Sequence, residues 1–247
     1  MGRITVSGKS VIFRRRDEVT VIEPYGKDCL RCRSTRNARV SEESWTLLPP
    51  ATEDACVIEG DEKFVTITNG MVSATLEAGN QWYGGVVTYY RKGEPVLHTK
   101  FEGDYVNVEG DHYQVKVIFD ANEGEHFYGL GQETEDAFDR KGSTCNLVHY
   151  NTKSTLPYVY SSLGYGFFWN NPSPGRCETT RNHTLWCADS AYQADYLVFA
   201  GEKPADVMKI YCDLTGYAPR FPYWASGFWQ CKLRYESQDE LLEVARE

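Results

Sequence analysis

The chain has 247 residues, 41% of them hydrophobic, and a net charge of −9. It can bury a real core as one large β domain or two smaller ones. Composition argues against disorder, and the acidic balance argues against a nucleic-acid partner, which needs a basic face. The basic clusters Arg14, Arg15, Arg16 and Arg31, Arg33, Arg36 read as solvated strand ends. Residues 1–11 lack the apolar core of a signal peptide and no run approaches a membrane span, so a cytoplasmic protein with no membrane partner is expected. The sequon at Asn182 therefore carries little meaning. Among eight cysteines the only close pair is Cys29 and Cys32, in a strand-like segment where an odd spacing sends the side chains to opposite faces. With no second pair at ligand spacing, free thiols are expected, with neither disulfide nor metal.

In chain order, short apolar runs at 11–13 and 19–22 open the β signal. Residues 64–68 and 71–76 flank Asn69-Gly70, a strong hairpin signal. Residues 86–90 follow, then Tyr113, Val115, Val117 and Phe119 alternating with Gln114 and Lys116, then 158–160, 165–169 and 195–199. Many short strands with Gly-rich turns predict a two-sheet antiparallel β-sandwich up to about residue 200. A helix starts near Pro204, presents Val207, Ile210, Tyr211 and Leu214 on one face, and can be capped by Gly216. Pro219 and Pro222 mark a linker, so the reading divides the chain into 1–220 and 221–247. Residues 224–233 read as a strand buried on both faces, and Ser237 with Glu240 reads as a capping box opening an amphipathic helix. That helix reaches Glu247 without a C-cap signal. A strand followed by a helix is half of a parallel crossover, so the expectation is a front domain followed by the first step of a truncated α/β domain.

Several residues could carry chemistry, each with a structural alternative. Gly129 and Gly131 lack the third glycine of a dinucleotide loop, and a bend with positive φ accounts for them. Glu123, Glu125, Glu133, Glu135, Asp136 and Asp139 could supply the two carboxylates of a glycosidase; an acidic surface loop would contain the same residues. His126, beside Glu125, and His149, leading into the polar loop 151–155, could do acid–base work on a sugar ring oxygen or be structural. Dense aromatics, among them Trp82, Tyr83, Tyr160 and Trp186, could stack on sugars or fill a core.

From about residue 112 the blocks 127–132 (FYGLGQ), 141–142 (KG), 160–170 (YSSLGYGFFWN), 214–216 (LTG) and 222–230 (PYWASGFWQ) stand in a fixed order. In that order they resemble glycoside hydrolase family 31, the α-glucosidase and α-xylosidase family. The resemblance implies a galactose-mutarotase-like β-sandwich ahead of a (β/α)₈ barrel, with residues 224–233 as its first strand. It places both catalytic aspartates on later barrel strands, so no catalytic residue falls in this chain, and it implies no cofactor and no metal. Two substrate contacts are implied. One is the loop over the barrel mouth, here Asn151, Thr152 and Lys153, where some members have aspartate in place of the lysine. The other is Leu233, late in the first barrel strand, where some relatives have tyrosine. Residues 228–235 look closest to the α-xylosidase branch; excluding a C6 hydroxymethyl group would be worth only about 1–3 kcal/mol. The expected function is therefore the N-terminal part of a retaining α-glycosidase acting on terminal non-reducing α-xylosyl or α-glucosyl residues. Its partners would be the α-glycoside or oligosaccharide and the remaining barrel, and the chain alone would be inactive. The alternatives are a free-standing carbohydrate-binding module and a mutarotase-like epimerase using His126 or His149.

Overall fold

The structure, a computed structural model, describes residues 2–50, 56–79, 85–100, 104–134 and 137–247. Trp82, Tyr83, Glu135 and Asp136 lie outside the described residues. The chain divides into two compact units, Met1–Gly216 and Tyr217–Glu247.

The first unit is built of strands. A meander of β1 (Arg3–Ser7), β2 (Ser10–Arg15), β3 (Glu18–Pro24) and β4 (Cys29–Thr35) begins one sheet. The chain then lays down β5 (Cys56–Gly60), β6 (Phe64–Asn69), β7 (Val72–Glu77), β8 (Val86–Arg91), β9 (Glu94–Lys100), β10 (Asp104–Glu109) and β11 (His112–Asp120) in a second sheet. It finishes by alternating between the two through β12 (Phe127–Gln132), β13 (Thr144–Asn146), β14 (Ser154–Ser161), β15 (Tyr165–Trp169), β16 (Gly175–Thr179), β17 (His183–Ala191) and β18 (Ala194–Ala200). The eight-stranded sheet has the order β1-β2-β3-β4-β18-β15-β14-β12. The ten-stranded sheet has the order β13-β16-β17-β11-β9-β8-β7-β6-β5, with β10 beside β11. The ladders between these strands are antiparallel.

Side-chain alternation explains why the sheets stack. In β6 and β7 every second residue is buried, and Val65, Ile67, Val72, Ala74 and Leu76 all face the common core. Phe119, Phe167, Trp169, Trp186 and Tyr196 meet at its centre, with Phe167 and Trp186 stacked 4.8 Å apart. The other face of the eight-stranded sheet is covered by the helix α1 (Pro204–Thr215), whose Val207 and Leu214 pack with Cys29, Tyr158, Phe168, Leu197 and Phe199. β18, sandwiched between the core and this helix, is buried at every residue and is apolar from Tyr196 to Ala200. Cys32 points to the core and Cys29 to the helix side, as their odd spacing requires. Among the described residues no helix is long and apolar enough to cross a membrane.

Four local expectations change. The β6–β7 turn is Gly70-Met71, not Asn69-Gly70, since Asn69 pairs with Val72. Its carboxamide instead donates to the Gly26 and Cys29 carbonyls, holding one sheet to the other. Arg31 and Arg33 are not solvated strand ends: both are buried. Asp195 receives Arg31 at 2.9 and 2.5 Å, and Glu23 and the Ser41 carbonyl receive Arg33. A charge can be buried there because carboxylates on neighbouring segments meet it.

The remaining two corrections lie in the second unit. Residues 224–233 form no strand: Tyr223–Ser226 is a 3-10 turn, the rest is irregular, and Phe228 and Leu233 are exposed. A strand needs a neighbouring backbone for its ladder, and among the described residues none pairs with this run. Its polar groups close locally instead, with the Trp229 indole donating to the Ala225 carbonyl at 2.8 Å. The capping box of α2 (Gln238–Arg246) is half made. Ser237 Oγ accepts the Glu240 N–H, but the Glu240 carboxylate accepts the N–H of Glu236 and the Lys232 ammonium.

Candidate functional site

The outer edge of the eight-stranded sheet, where β12 pairs with β14, is distorted in a way that shapes the loop between β13 and β14. Gly129, Leu130 and Gly131 all have positive φ, and the register slips between Gly129 and Gly131. This is a bulge, the bend expected from the two glycines. A Cβ on Gly131 would sit 2.1 Å from the Ser154 carbonyl oxygen, so only glycine lets β12 come this close to the start of β14. The bulge delivers Glu133, just past the end of β12, beneath residues 150–155.

There the Glu133 carboxylate is nearly sealed from water, with 4% of its side chain exposed. It accepts the Lys153 ammonium at 2.6 Å, the Thr155 hydroxyl at 3.2 Å and the Cys145 thiol at 3.2 Å. The Thr155 hydroxyl also lies 3.1 Å from the Val148 carbonyl, and its single proton serves one acceptor at a time. Burial pushes the Glu133 carboxyl up. The hydrogen bonds from Lys153, Cys145 and Thr155, with the ammonium charge, outweigh that and hold it below the usual carboxylate range. The Cys145 thiol is pushed up to about 12 by its own burial and by Glu133. Above this cluster the chain turns sharply: Thr152 has φ 71, and the Lys153 N–H donates to the Tyr150 carbonyl at 3.1 Å.

The predicted contact residues thus fall into two sorts. Asn151 and Thr152 are exposed at the tip of the turn, and their side chains make no hydrogen bond among the described residues. Lys153 is turned inward onto Glu133. Leu233 belongs to the second unit, where it is 95% exposed.

The other candidates are engaged elsewhere. Glu125, expected in a surface loop, is buried and accepts the Ser161 hydroxyl at 2.5 Å and the Tyr165 hydroxyl at 2.7 Å, with Lys141 4.0 Å away. Neither Glu125 nor Glu133 is open to a substrate as an acid or base. His126 is exposed, and its Nδ1 is 2.6 Å from Asp139, whose other oxygen accepts the Phe127 and Lys141 N–H groups. His149 is exposed and makes no hydrogen bond or ion pair among the described residues. Tyr165 and Trp186 are core, while Tyr160 is partly exposed beside Tyr128. A cleft of about 190 Å³ beside the exposed Trp45 is lined by Asn170, Asn171 and Gln193. Their carboxamides are bonded to Asp195, Ser44 and Ser41, pinning the segment around residues 41–46 to the sheet. Among the described residues no group of His, Cys, Asp and Glu is placed to hold a metal ion.

Glu133 and Cys145 were not legible as partners of the loop, since bulge and strand pairing bring them there. One signal pointed to them: Lys153 and Thr155 are two residues apart, so on an extended segment both face the same side and need a common polar partner.

Two stacked antiparallel sheets with this polar edge loop make a β-sandwich of the galactose-mutarotase-like class. Residues 18–178 match the glycosyl hydrolase 31 N-terminal galactose mutarotase-like domain, and the chain belongs to glycoside hydrolase family 31. It is 32% identical to an uncharacterized family 31 glucosidase, ORF2, of Pseudescherichia vulneris, covering 100% of this chain and 50% of that protein. It is 39% identical to an α-xylosidase of Saccharolobus solfataricus over 57% of this chain and 20% of the relative. The crystal structure of a GH31 α-xylosidase from a soil metagenome, complexed with xylose, matches with a TM-score of 0.89 at 31% identity, over 98% of this chain and 39% of that one. The chain therefore spans half, or less, of the length of these relatives.

Proposed function

We propose that the chain is the N-terminal part of a retaining α-glycosidase that releases terminal non-reducing α-xylosyl or α-glucosyl residues. Residues 1–220 would form the sandwich domain and 221–247 would open a (β/α)₈ barrel. The observation that carries this reading is coverage. A relative described as a family 31 glucosidase and a structure described as a xylose-bound α-xylosidase both match this chain nearly end to end, yet it accounts for only 50% and 39% of their lengths.

A retaining glycosidase needs a carboxylate nucleophile and a carboxylic acid about 5–5.5 Å apart across the scissile bond, and no cofactor. The buried carboxylates Glu125 and Glu133 are consumed by internal donors. The chemistry is therefore assigned to the barrel, and the sandwich to scaffolding and to one loop that meets the leaving group. In that loop Asn151 and Thr152, exposed with uncommitted polar side chains, are the groups suited to hydrogen-bond an aglycone. Leu233 is proposed to line the sugar pocket once barrel strands flank it.

The test is to assay aryl α-xyloside and aryl α-glucoside with residues 1–247 and with the same chain joined to its downstream polypeptide. The longer protein should turn over one or both, and the chain alone neither. Turnover by residues 1–247 above a control preparation would overturn the assignment of the chemistry to the barrel.

A further inference from the structure

We infer that Glu133 is a positioning residue for leaving-group selection: its buried carboxylate turns Lys153 inward and so fixes the outward presentation of Asn151 and Thr152. The inference rests on the proposal above that this loop meets the leaving group. It reverses the role expected of Lys153, which acts here as an internal anchor and not as a cation offered to substrate.

Three observations carry it. The carboxylate is almost fully buried at the floor of the loop and gathers donors from three separate places: Cys145 in β13, Lys153 in the turn and Thr155 in β14. The turn above it is closed by the Lys153 N–H on the Tyr150 carbonyl and contains a non-glycine residue, Thr152, in the left-handed region. Such a conformation persists only where its surroundings over-determine it, and the ammonium–carboxylate contact one residue later supplies that constraint. Finally, β12 reaches this position only through the Gly129–Gly131 bulge, so the strand distortion and the anchor form one device.

An anchor of this kind acts on binding and not on the bond-breaking step. With Asn151 and Thr152 held in one arrangement, a preferred aglycone meets preorganised donors and acceptors and loses less entropy on binding. Released, the loop should still permit turnover but discriminate poorly between aglycones.

The test uses three variants. Glu133→Gln removes the charge but keeps an acceptor for Thr155 and Cys145. Glu133→Leu with Lys153→Met removes both charges and leaves none buried alone, which guards against simple misfolding. Asn151→Ala alters the tip and leaves the anchor. In residues 1–247, exchange of the Lys153 amide, bonded to the Tyr150 carbonyl, should accelerate about tenfold or more in the first two variants, as loss of a charge-assisted hydrogen bond implies. It should stay unchanged in the third. In the chain joined to its downstream polypeptide, the first two should raise KM for the preferred disaccharide severalfold while kcat changes less than twofold. Unchanged exchange in both Glu133 variants would overturn the anchor. Faster exchange without a KM effect, while Asn151→Ala does raise KM, would overturn the positioning role and keep the substrate-facing loop. Silence of all three in KM would instead remove the loop from leaving-group recognition, and the inference with it.

Discussion

The sandwich and the C-terminal segment are both rich in aromatic residues, but those residues have opposite fates. Trp169 and Trp186 are about 1% exposed, whereas Trp224 and Trp229 are 75% and 66% exposed. The difference is not one of local hydrophobicity. β18 and residues 224–233 both read as strands and both carry apolar runs, but β18 has β4 and β15 on its flanks, the core on one face and α1 on the other. The apolar run after residue 223 finds no strand to pair with among the described residues. An apolar pattern is a capacity to be buried, and neighbours contributed from elsewhere in the chain decide whether it is used.

The largest expected effect tests that contrast directly. Trp186→Ala removes a ring stacked on Phe167 in the centre of the core and should cost about 3–5 kcal/mol, against less than about 0.5 kcal/mol for Trp229→Ala. Urea unfolding of both variants measures it. Equal costs would mean that the C-terminal aromatics are buried in solution and would break the comparison.

A smaller effect is expected at the β12 bulge. Gly131→Ala places a methyl group against the Ser154 carbonyl at a residue with φ 80, and it should destabilise the sandwich by about 1–3 kcal/mol. Gly93→Ala is the control, since its Cβ would meet nothing within 4 Å although its φ is also positive, at 86. If both cost the same, backbone conformation and not strand approach is what selects glycine here.

Next comes the helix in the second unit. Ser237→Ala removes the oxygen that accepts the Glu240 N–H and should weaken α2 by about 1 kcal/mol. Faster amide exchange across residues 238–246, with an unchanged unfolding midpoint for the sandwich, is the expected outcome. A shift in the sandwich midpoint would show that the two units share their stability.

The smallest effect is on acid stability. Burial pushes the Asp139 carboxyl up, but the hydrogen bonds from His126 and from the Lys141 and Phe127 N–H groups prevail and hold it low; Glu133 is held low as described. A depressed carboxylate contributes stability that is present above its unfolded value, about 4, and is lost as pH falls through the folded value. Glu18 has the opposite sign: burial raises it despite Ser34, so the stability it contributes in the protonated form is lost as pH rises. Asp139→Asn should therefore flatten the loss of stability below about pH 4, and Glu18→Gln should remove a small gain of stability that acidification brings just above that pH. Unfolding midpoints between pH 3 and pH 7 check both directions.

The sandwich was largely legible in the sequence because its signals are local. Period-two alternation marks β6, β7 and β11, and Pro204 and Gly216 bracket α1. The misreadings have one cause. Arg31 and Arg33 read as solvated because their partners Asp195 and Glu23 lie 164 and 10 residues away. Glu125 and Glu133 read as surface acids because Ser161, Tyr165 and Lys153 reach them only after β12, β14 and β15 pair.

By itself the sequence determined which segments extend, which face of each is apolar, and, through its ordered motif blocks, the family. Only the tertiary structure decided what the polar residues do: which arginines are buried, which carboxylates are consumed, and that Lys153 turns inward while Asn151 and Thr152 turn out. The physical reason is range. Backbone preference and apolar periodicity act between residues a few positions apart, whereas a buried charge or hydrogen bond is decided by whichever partner the fold brings within about 3 Å.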